Sequence, residues 1–175
     1  MKNVYEIKPI DSEEWVVFND SFNEKLSPEI IEFLSEYKRI CFGEDFNQSV
    51  ENLPDSVEKI KFGWQFDQPL TLLPKSLTHI EFGPKFNQPV NNLPNSIKTL
   101  EFGGGFKQPV DNLPNSLTYL TFGHFFNQPV NNLPSNITHL TFGDDFNQPV
   151  DNLPKSIKYI KFGDFFYQPI DHIPH

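Results

Sequence analysis

Cysteine, methionine, long apolar runs and basic clusters are all scarce in this chain of 175 residues. Cys41 is the only cysteine, which excludes an internal disulfide framework and a thiolate metal cluster and suits a reducing compartment. No segment approaches the roughly 18 consecutive apolar residues that a membrane-spanning helix needs. The opening Met1-Lys2-Asn3-Val4-Tyr5-Glu6-Ile7-Lys8 carries no apolar signal-peptide core. Lys and Arg number 14 against 23 Asp and Glu, for a net charge of −9, and no basic block could line a row of phosphates. Nucleic acid and anionic membrane are therefore not expected partners, and an intracellular location is. Asn-x-Ser/Thr sequons at Asn19, Asn47 and Asn136 would matter only in a secreted protein. A glycan on Asn47 would clash with the repeat described next, which favours the same location.

Phenylalanine is what the chain has in excess: 19 residues, although the apolar share is only 37%. The core must then be aromatic. Phe-Gly recurs at Phe42, Phe62, Phe82, Phe102, Phe122, Phe142 and Phe162 with a period of 20 and no insertion. A second Phe follows four positions later each time, at Phe46, Phe66, Phe86, Phe106, Phe126, Phe146 and Phe166. An unbroken Gln column runs two residues further on, from Gln48 through Gln88, Gln128 and Gln148 to Gln168.

One coil, residues 73–92, offers six inward candidates: Leu73, Leu77, Ile80, Phe82, Phe86 and Val90. Ile80 and Phe82 alternate as in a short strand, and one strand per coil gives one parallel sheet. Pro89 and Pro94 hold their predecessors extended, so the rest of the coil is polyproline-like backbone and turns rather than helix. The Gly column, Gly43 through Gly163, needs either a positive φ or close packing under a Phe ring. The Gln column, and the Asn column before it (Asn47, Asn87, Asn127, Asn147), fit amides that bond exposed backbone. Asp67, Lys107 and Tyr167 interrupt the Asn column, which makes Gln look the more essential. Six buried side chains cannot offset the ordering of 20 residues, so a lone coil should not fold and stability must come from stacking.

At the N-terminus, Val16 to Asn23 follows the repeat frame without Gly and lies 24 residues ahead of the first full repeat. Ser27-Pro28-Glu29 reads as N-cap, first-turn proline and acid of a short amphipathic helix over Ile30, Ile31, Phe33, Leu34 and Tyr37 that should cover the first hydrophobic face. The division expected is 1–36 as a cap, a divergent repeat plus short helix, and 37–175 as seven repeats. The fold expected is a β-rich solenoid: a right-handed coil with one parallel β-sheet on the concave side, a polyproline-like, turn-rich convex side and a short N-terminal capping helix. At the other end, the strand near Ile157 to Phe162 should present an unpaired edge that Lys158 and Lys161 discourage from pairing. A homodimer through this end, reaching Ile173, is the alternative to partner binding.

Strand residues that point away from the core form two columns. One reads Arg39, Lys59, His79, Thr99, Tyr119, His139, Tyr159, and the other Cys41, Lys61, Glu81, Glu101, Thr121, Thr141, Lys161. Variable residues on a fixed scaffold are where specificity can reside. Tyr119, His139 and Tyr159 would form an exposed aromatic strip of the kind enriched at interaction surfaces, or simply pack along the sheet. Trp64, Phe125 and Phe165 lie at the strand ends as contacts or as local packing. For catalysis, His124 beside Asp144 and Asp164 is the best general-base arrangement, but no Ser or Cys nucleophile shares the loop, so no enzyme activity is expected. The histidines His79, His124 and His139 and the Asp144-Asp145 pair lack zinc or calcium spacing. Gly103-Gly104-Gly105 belongs to no phosphate-binding motif, and no cofactor is implied.

The string FGxxFNQPV, intact at 82–90, 122–130 and 142–150 and coupled to LPxSL or LPxSI, resembles the FNIP, or FGxxFN, repeat family over about 37–175. The resemblance implies a leucine-rich-repeat-like solenoid of the kind abundant in amoebae and in large DNA viruses of protists. It also implies a protein-protein interaction module, in the host cytoplasm for a viral protein, with a host protein as partner. Some family members add an N-terminal F-box that recruits ubiquitin-ligase machinery, which would link the partner to that pathway. Leu26 to Leu34 resembles an F-box opening but is far shorter than its three helices. The family supplies structural Phe, Gly, Asn and Gln positions and no catalytic set.

Overall fold

The computed structural model describes residues 4–171. They form a solenoid around a single nine-stranded sheet whose strand order follows the chain. Seven strands are three residues long and recur every coil: β3 (Arg39–Cys41), β4 (Lys59–Lys61), β5 (His79–Glu81), β6 (Thr99–Glu101), β7 (Tyr119–Thr121), β8 (His139–Thr141) and β9 (Tyr159–Lys161). Neighbours pair in parallel with no slip, Ile80 opposite Leu100 and Leu100 opposite Leu120. Only the middle residue of each faces the core, so the strand is as short as alternation allows.

Between strands the chain closes with turns rather than helix. Each coil has a turn from the repeat Gly, as where Phe86 N donates to the Gly83 carbonyl, and another from the Leu-Pro position, as where Leu77 N donates to the Pro74 carbonyl. The prolines fix the extended backbone between these turns.

Two lines of phenyl rings run through the core. From Phe42 to Phe162, neighbouring rings of the first line lie 5.5–5.7 Å apart. In the second line the spacing from Phe46 to Phe166 is 6.0–6.3 Å. Within a coil the two rings stack, at 3.8 Å for Phe82 on Phe86. Phe66, Phe86, Phe106, Phe126 and Phe146 have no exposed surface.

The glycine column answers to close packing, against backbone rather than under a ring. No glycine has a positive φ. A Cβ on Gly63 would overlap the carbonyl oxygen of Gly43, and the same holds for Gly83 over Gly63 and for Gly123 over Gly103.

The amide columns reverse the expected order of importance. Asn47 Oδ1 accepts from the backbone N–H of Asp67 at 2.9 Å and from Gln68 Nε2 at 3.0 Å. Asp67 is no interruption, because its Oδ1 accepts from Asn87 N and Gln88 Nε2 in the same way. The acceptor is the pivot, and each Gln depends on the Asn or Asp of the preceding coil. Lys107 is a true break between described coils: it has no acceptor to offer, and Gln128 is left without a hydrogen bond among the described residues. The Lys107 ammonium lies instead 5.1 Å from the Phe125 ring. A second ladder, from the Ser of Leu-Pro-x-Ser to the carbonyl of the preceding coil, joins Ser96 to Leu77, Ser116 to Ile97 and Ser156 to Ile137.

The N-terminal end departs from expectation in one respect. β2 (Glu13–Phe18) pairs in parallel with β3, and Phe18 stacks 5.1 Å from Phe42, so the divergent repeat is a true first coil. Its outer edge, however, is covered by an antiparallel strand, β1 (Tyr5–Ile10), joined through Asp11 and Ser12 at φ 51° and 67°, as a tight hairpin turn with two left-handed residues requires. The helix α1 (Pro28–Leu34), capped by Ser27, fills the extra four residues of this coil and packs Phe33 on Tyr5 at 4.4 Å. Asn19 occupies the glycine position, where β1 rather than a preceding coil is its neighbour and its N–H donates to Val4. At the other end β9 pairs only with β8 among the described residues, and Phe162 and Phe166 are half-buried. Ile173 lies outside the described residues.

Lys107→Asn should restore the missing acceptor. Two new hydrogen bonds at about 1 kcal/mol each, less about 0.5–1 kcal/mol for the lost cation–π contact, predict a net gain of about 1 kcal/mol. Chemical denaturation of the two proteins checks this, and an unchanged midpoint would show that the ladder contributes nothing measurable.

Candidate binding surface

The outer sheet face is assembled by register alone. Because the middle residue of each three-residue strand is buried, half-buried only at Ile160 of β9, the first and third residues point outward in two straight columns. β2 extends them: Val16 pairs with Ile40, which sets Trp15 ahead of Arg39 and Val17 beside Cys41.

At the β7–β9 end, the columns bring the expected aromatic strip together. Tyr119 and His139 stack at 4.3 Å with planes 15° apart, and Tyr159 follows His139 at 6.0 Å. The rings remain about half exposed, Tyr119 at 48% and Tyr159 at 50%. Thr121 and Thr141 pair beside them in the second column. His79 does not join the strip, since Thr99 stands between; its Nδ1 meets Thr78 Oγ1 at 2.7 Å. Burial, then the nearby Lys59, push the His79 pKa down, so its ring is neutral at physiological pH.

Trp64 and Phe125 lie off this face, on the turns after the strands. Trp64 is 51% exposed and, with Pro84, Glu44 and Glu101, lines a groove of about 400 Å³. Phe125 is held by local contacts, with Lys107 over its ring and His124 edge-on at 4.5 Å. His124 Nδ1 meets Asp144 at 2.8 Å, and Nε2 lies 3.9 Å from Asp145. Asp164 takes no part in these contacts, and all three partners are substantially exposed. A carboxylate does orient a histidine here, yet among the described residues no hydroxyl or thiol hydrogen-bonds to that ring. Among the described residues no cluster of three or more His, Cys, Asp or Glu could hold a metal ion. None of their helices is long and apolar enough to cross a membrane.

The β2–β6 end holds a cavity that the sequence did not disclose. Its volume is about 370 Å³, and Asp11, Glu13, Trp15, Lys59, Lys61, His79, Glu81 and Glu101 contribute to its walls. Glu13 reaches across to Arg39 at 2.8 Å and Lys59 at 2.6 Å. The hydrogen bond from Lys59, then that from Arg39, hold its carboxyl below the usual range. Glu81 pairs with Lys61 at 3.0 Å. Trp15 is only 4% exposed and lies under the Lys61 ammonium. The alternation of Glu13, Trp15 and Val17 against Val16 and Phe18 was the available signal for its outward placement.

Glu81 and Glu101 sit directly opposite each other on β5 and β6, where like charges are destabilising. Partial loss of solvent, then the Glu81 charge, push the Glu101 pKa up. A carboxyl raised in the folded state favours folding while protonated and loses that contribution as pH rises through the raised value. Glu101→Gln should therefore be more stable than the parent at pH 7. The difference should shrink as pH falls toward the ordinary Glu range of about 4.3. Thermal melts at several pH values check both the sign and the trend.

The model of the FNIP Repeat matches at residues 46–85, 66–105, 86–125 and 126–165. Among solved structures, CroV588 from the giant virus CroV, described as a novel circular LRR protein structure, is 45% identical. The match covers 93% of this chain and 26% of that one, with a TM-score of 0.84. This chain thus spans about a quarter of that protein's length. No curated protein matches. The matched segments take in every coil from Phe46 to Phe165, and their repeated Phe, Gly, Asn and Gln are the residues that zip the coils together, so the chain belongs to the FNIP repeat family of leucine-rich-repeat-like solenoids.

Proposed function

We propose that this chain is a non-catalytic protein-binding module that engages a macromolecular partner through the outer, concave face of its sheet. The observation that carries this reading is the half-exposed stack of Tyr119, His139 and Tyr159. The core columns are buried, while this row of large rings is left in solvent where rigid aromatic anchors are enriched at binding hot spots. Thr121 and Thr141 supply adaptable hydroxyls beside it, and His79 a neutral ring further along. Trp64 and Phe125 would contribute at the rim.

A giant-virus relative and the family resemblance favour a host protein as partner and host cytoplasm as the setting. The resemblance would tie that partner to ubiquitin-ligase machinery only through a separate F-box, since α1 is a seven-residue connector within the first coil. The double variant Tyr119→Ala, Tyr159→Ala should lose capture of a specific host protein from lysate at an unchanged melting temperature. Undiminished capture would place the binding surface elsewhere.

Self-association through the last coil is a second reading. It is favoured by three apolar residues of the last coil that are not fully covered, Ile170, exposed at 58%, and the half-buried Phe162 and Phe166. Light scattering should then show a concentration-dependent dimer that Ile170→Asp disrupts, and a strictly monomeric protein would remove this reading.

A further inference from the structure

The cavity at the β2–β6 end of the outer face combines a leftover charge with a leftover donor. Four carboxylates line it against two lysines; Lys61 pairs with Glu81 at 3.0 Å, and Lys59 shares Glu13 with Arg39, at 2.6 and 2.8 Å. Glu101 and Asp11 have no ion pair among the described residues. A cation would meet the unpaired Glu101 and relieve its opposition to Glu81. Independently, Trp15 forms part of the wall, is only 4% exposed, and its indole Nε1 has no hydrogen-bond acceptor among the described residues. Buried donors are almost always paired, so this one calls for an acceptor. The Lys61 ammonium, held on Glu81, lies 5.6 Å from the centroid of the same ring.

A single chemistry offers both a cation and an acceptor: a lysine or arginine residue within a peptide. We propose that this cavity seats a basic residue of an extended partner segment, its side-chain cation against Glu101 beside Glu81 and its backbone carbonyl on the indole N–H of Trp15. The inference rests on the outer face being a protein-binding surface and specifies the chemistry of the partner. From the backbone anchored on Trp15 of β2, Tyr119 on β7 is five strand spacings away and Tyr159 on β9 seven, roughly 24–34 Å, which about seven to ten extended residues span. The partner segment is therefore a basic residue followed about seven to ten positions later by an apolar or aromatic one that meets the Tyr119–Tyr159 strip.

The test uses the full chain labelled with nitrogen-15 and follows the indole N–H signal of Trp15, distinguished from that of Trp64 with Trp64→Phe. N-acetyl-lysine N-methylamide and N-acetyl-arginine N-methylamide are the probes, and the norleucine analogue, of similar length without charge, is the control. The basic probes should shift the Trp15 signal saturably and the norleucine probe should not. Glu101→Gln should weaken the response about tenfold, on the scale of one lost charge-assisted contact. Glu51→Gln, which removes a carboxylate from the far side of the coil, should leave it unchanged. An equal response to norleucine, no response to the basic probes, or equal weakening by Glu51→Gln would each overturn the assignment. The probes do not reach the aromatic strip, so their failure would leave the capture experiment with the tyrosine variants standing, and failure of capture would not alter the probe result.

Discussion

Each coil lies on the one before it through two phenyl rings set flat against two others, and that contact admits only one spacing of chain. A ring shifted by one residue would leave its line and enter solvent or the sheet. This is why the Phe-Gly step repeats without insertion from Phe42 to Phe162. The glycine enforces the same limit from the backbone side, since its neighbour is the carbonyl of the previous glycine and any Cβ would overlap it. Aromatic stacking supplies the attraction and the missing Cβ supplies the closeness. Neither would suffice alone, because rings held further apart would lose the dispersion contacts that make burial favourable.

Such close stacking carries backbone polar groups out of water, and three side-chain ladders answer for them. Asn or Asp accepts from the next coil's backbone and Gln, Ser donates to a carbonyl of the preceding coil, and Thr118 donates to Lys98 in the same sense. All these bonds join neighbouring coils, so little stability is internal to a coil, and folding energetics are nearest-neighbour in form. The outer sheet residues are spared this work. They face away from both the rings and the ladders, and the coil places few demands on what stands there.

Much of this was legible in the sequence because the repeat makes every position a column. The buried Phe lines, the short parallel strands, the helix-free return path and the Tyr119–Tyr159 strip all follow from reading down columns. What was not legible lay where columns fail or where geometry exceeds residue type. β1 has no counterpart in the repeat, so its antiparallel cover of β2 left no periodic trace. Asp67 looked like an interruption because it differs from Asn, yet it shares the single oxygen that matters. The glycine column was open between two explanations because a positive φ and a close neighbour ask for the same residue. Trp15 escaped notice because it lies in the divergent coil, and its role depends on Lys61, which is 46 residues away and adjacent only once β2, β3 and β4 are paired.

Residues that break a local rule deserve separate weight from residues that merely vary, because natural sequences are otherwise consistent with their folds. Leu72 has a left-handed φ of 52° and is 78% exposed where Asn52, Asn92, Asn112, Asn132 and Asn152 stand in other coils, and Lys107 forgoes the acceptor on which Gln128 would depend. Those two lie apart, on the return path. Glu81 and Glu101 differ from them in kind. Thr121 and Thr141 occupy the same position on adjacent strands without like-charge opposition, so the scaffold has a neutral solution available and does not use it at β5 and β6. Stability alone would favour the threonines. The acidic pair sits in the wall that also holds the unpaired indole of Trp15, so charge and donor coincide in one cavity on the one surface that the stacking leaves free.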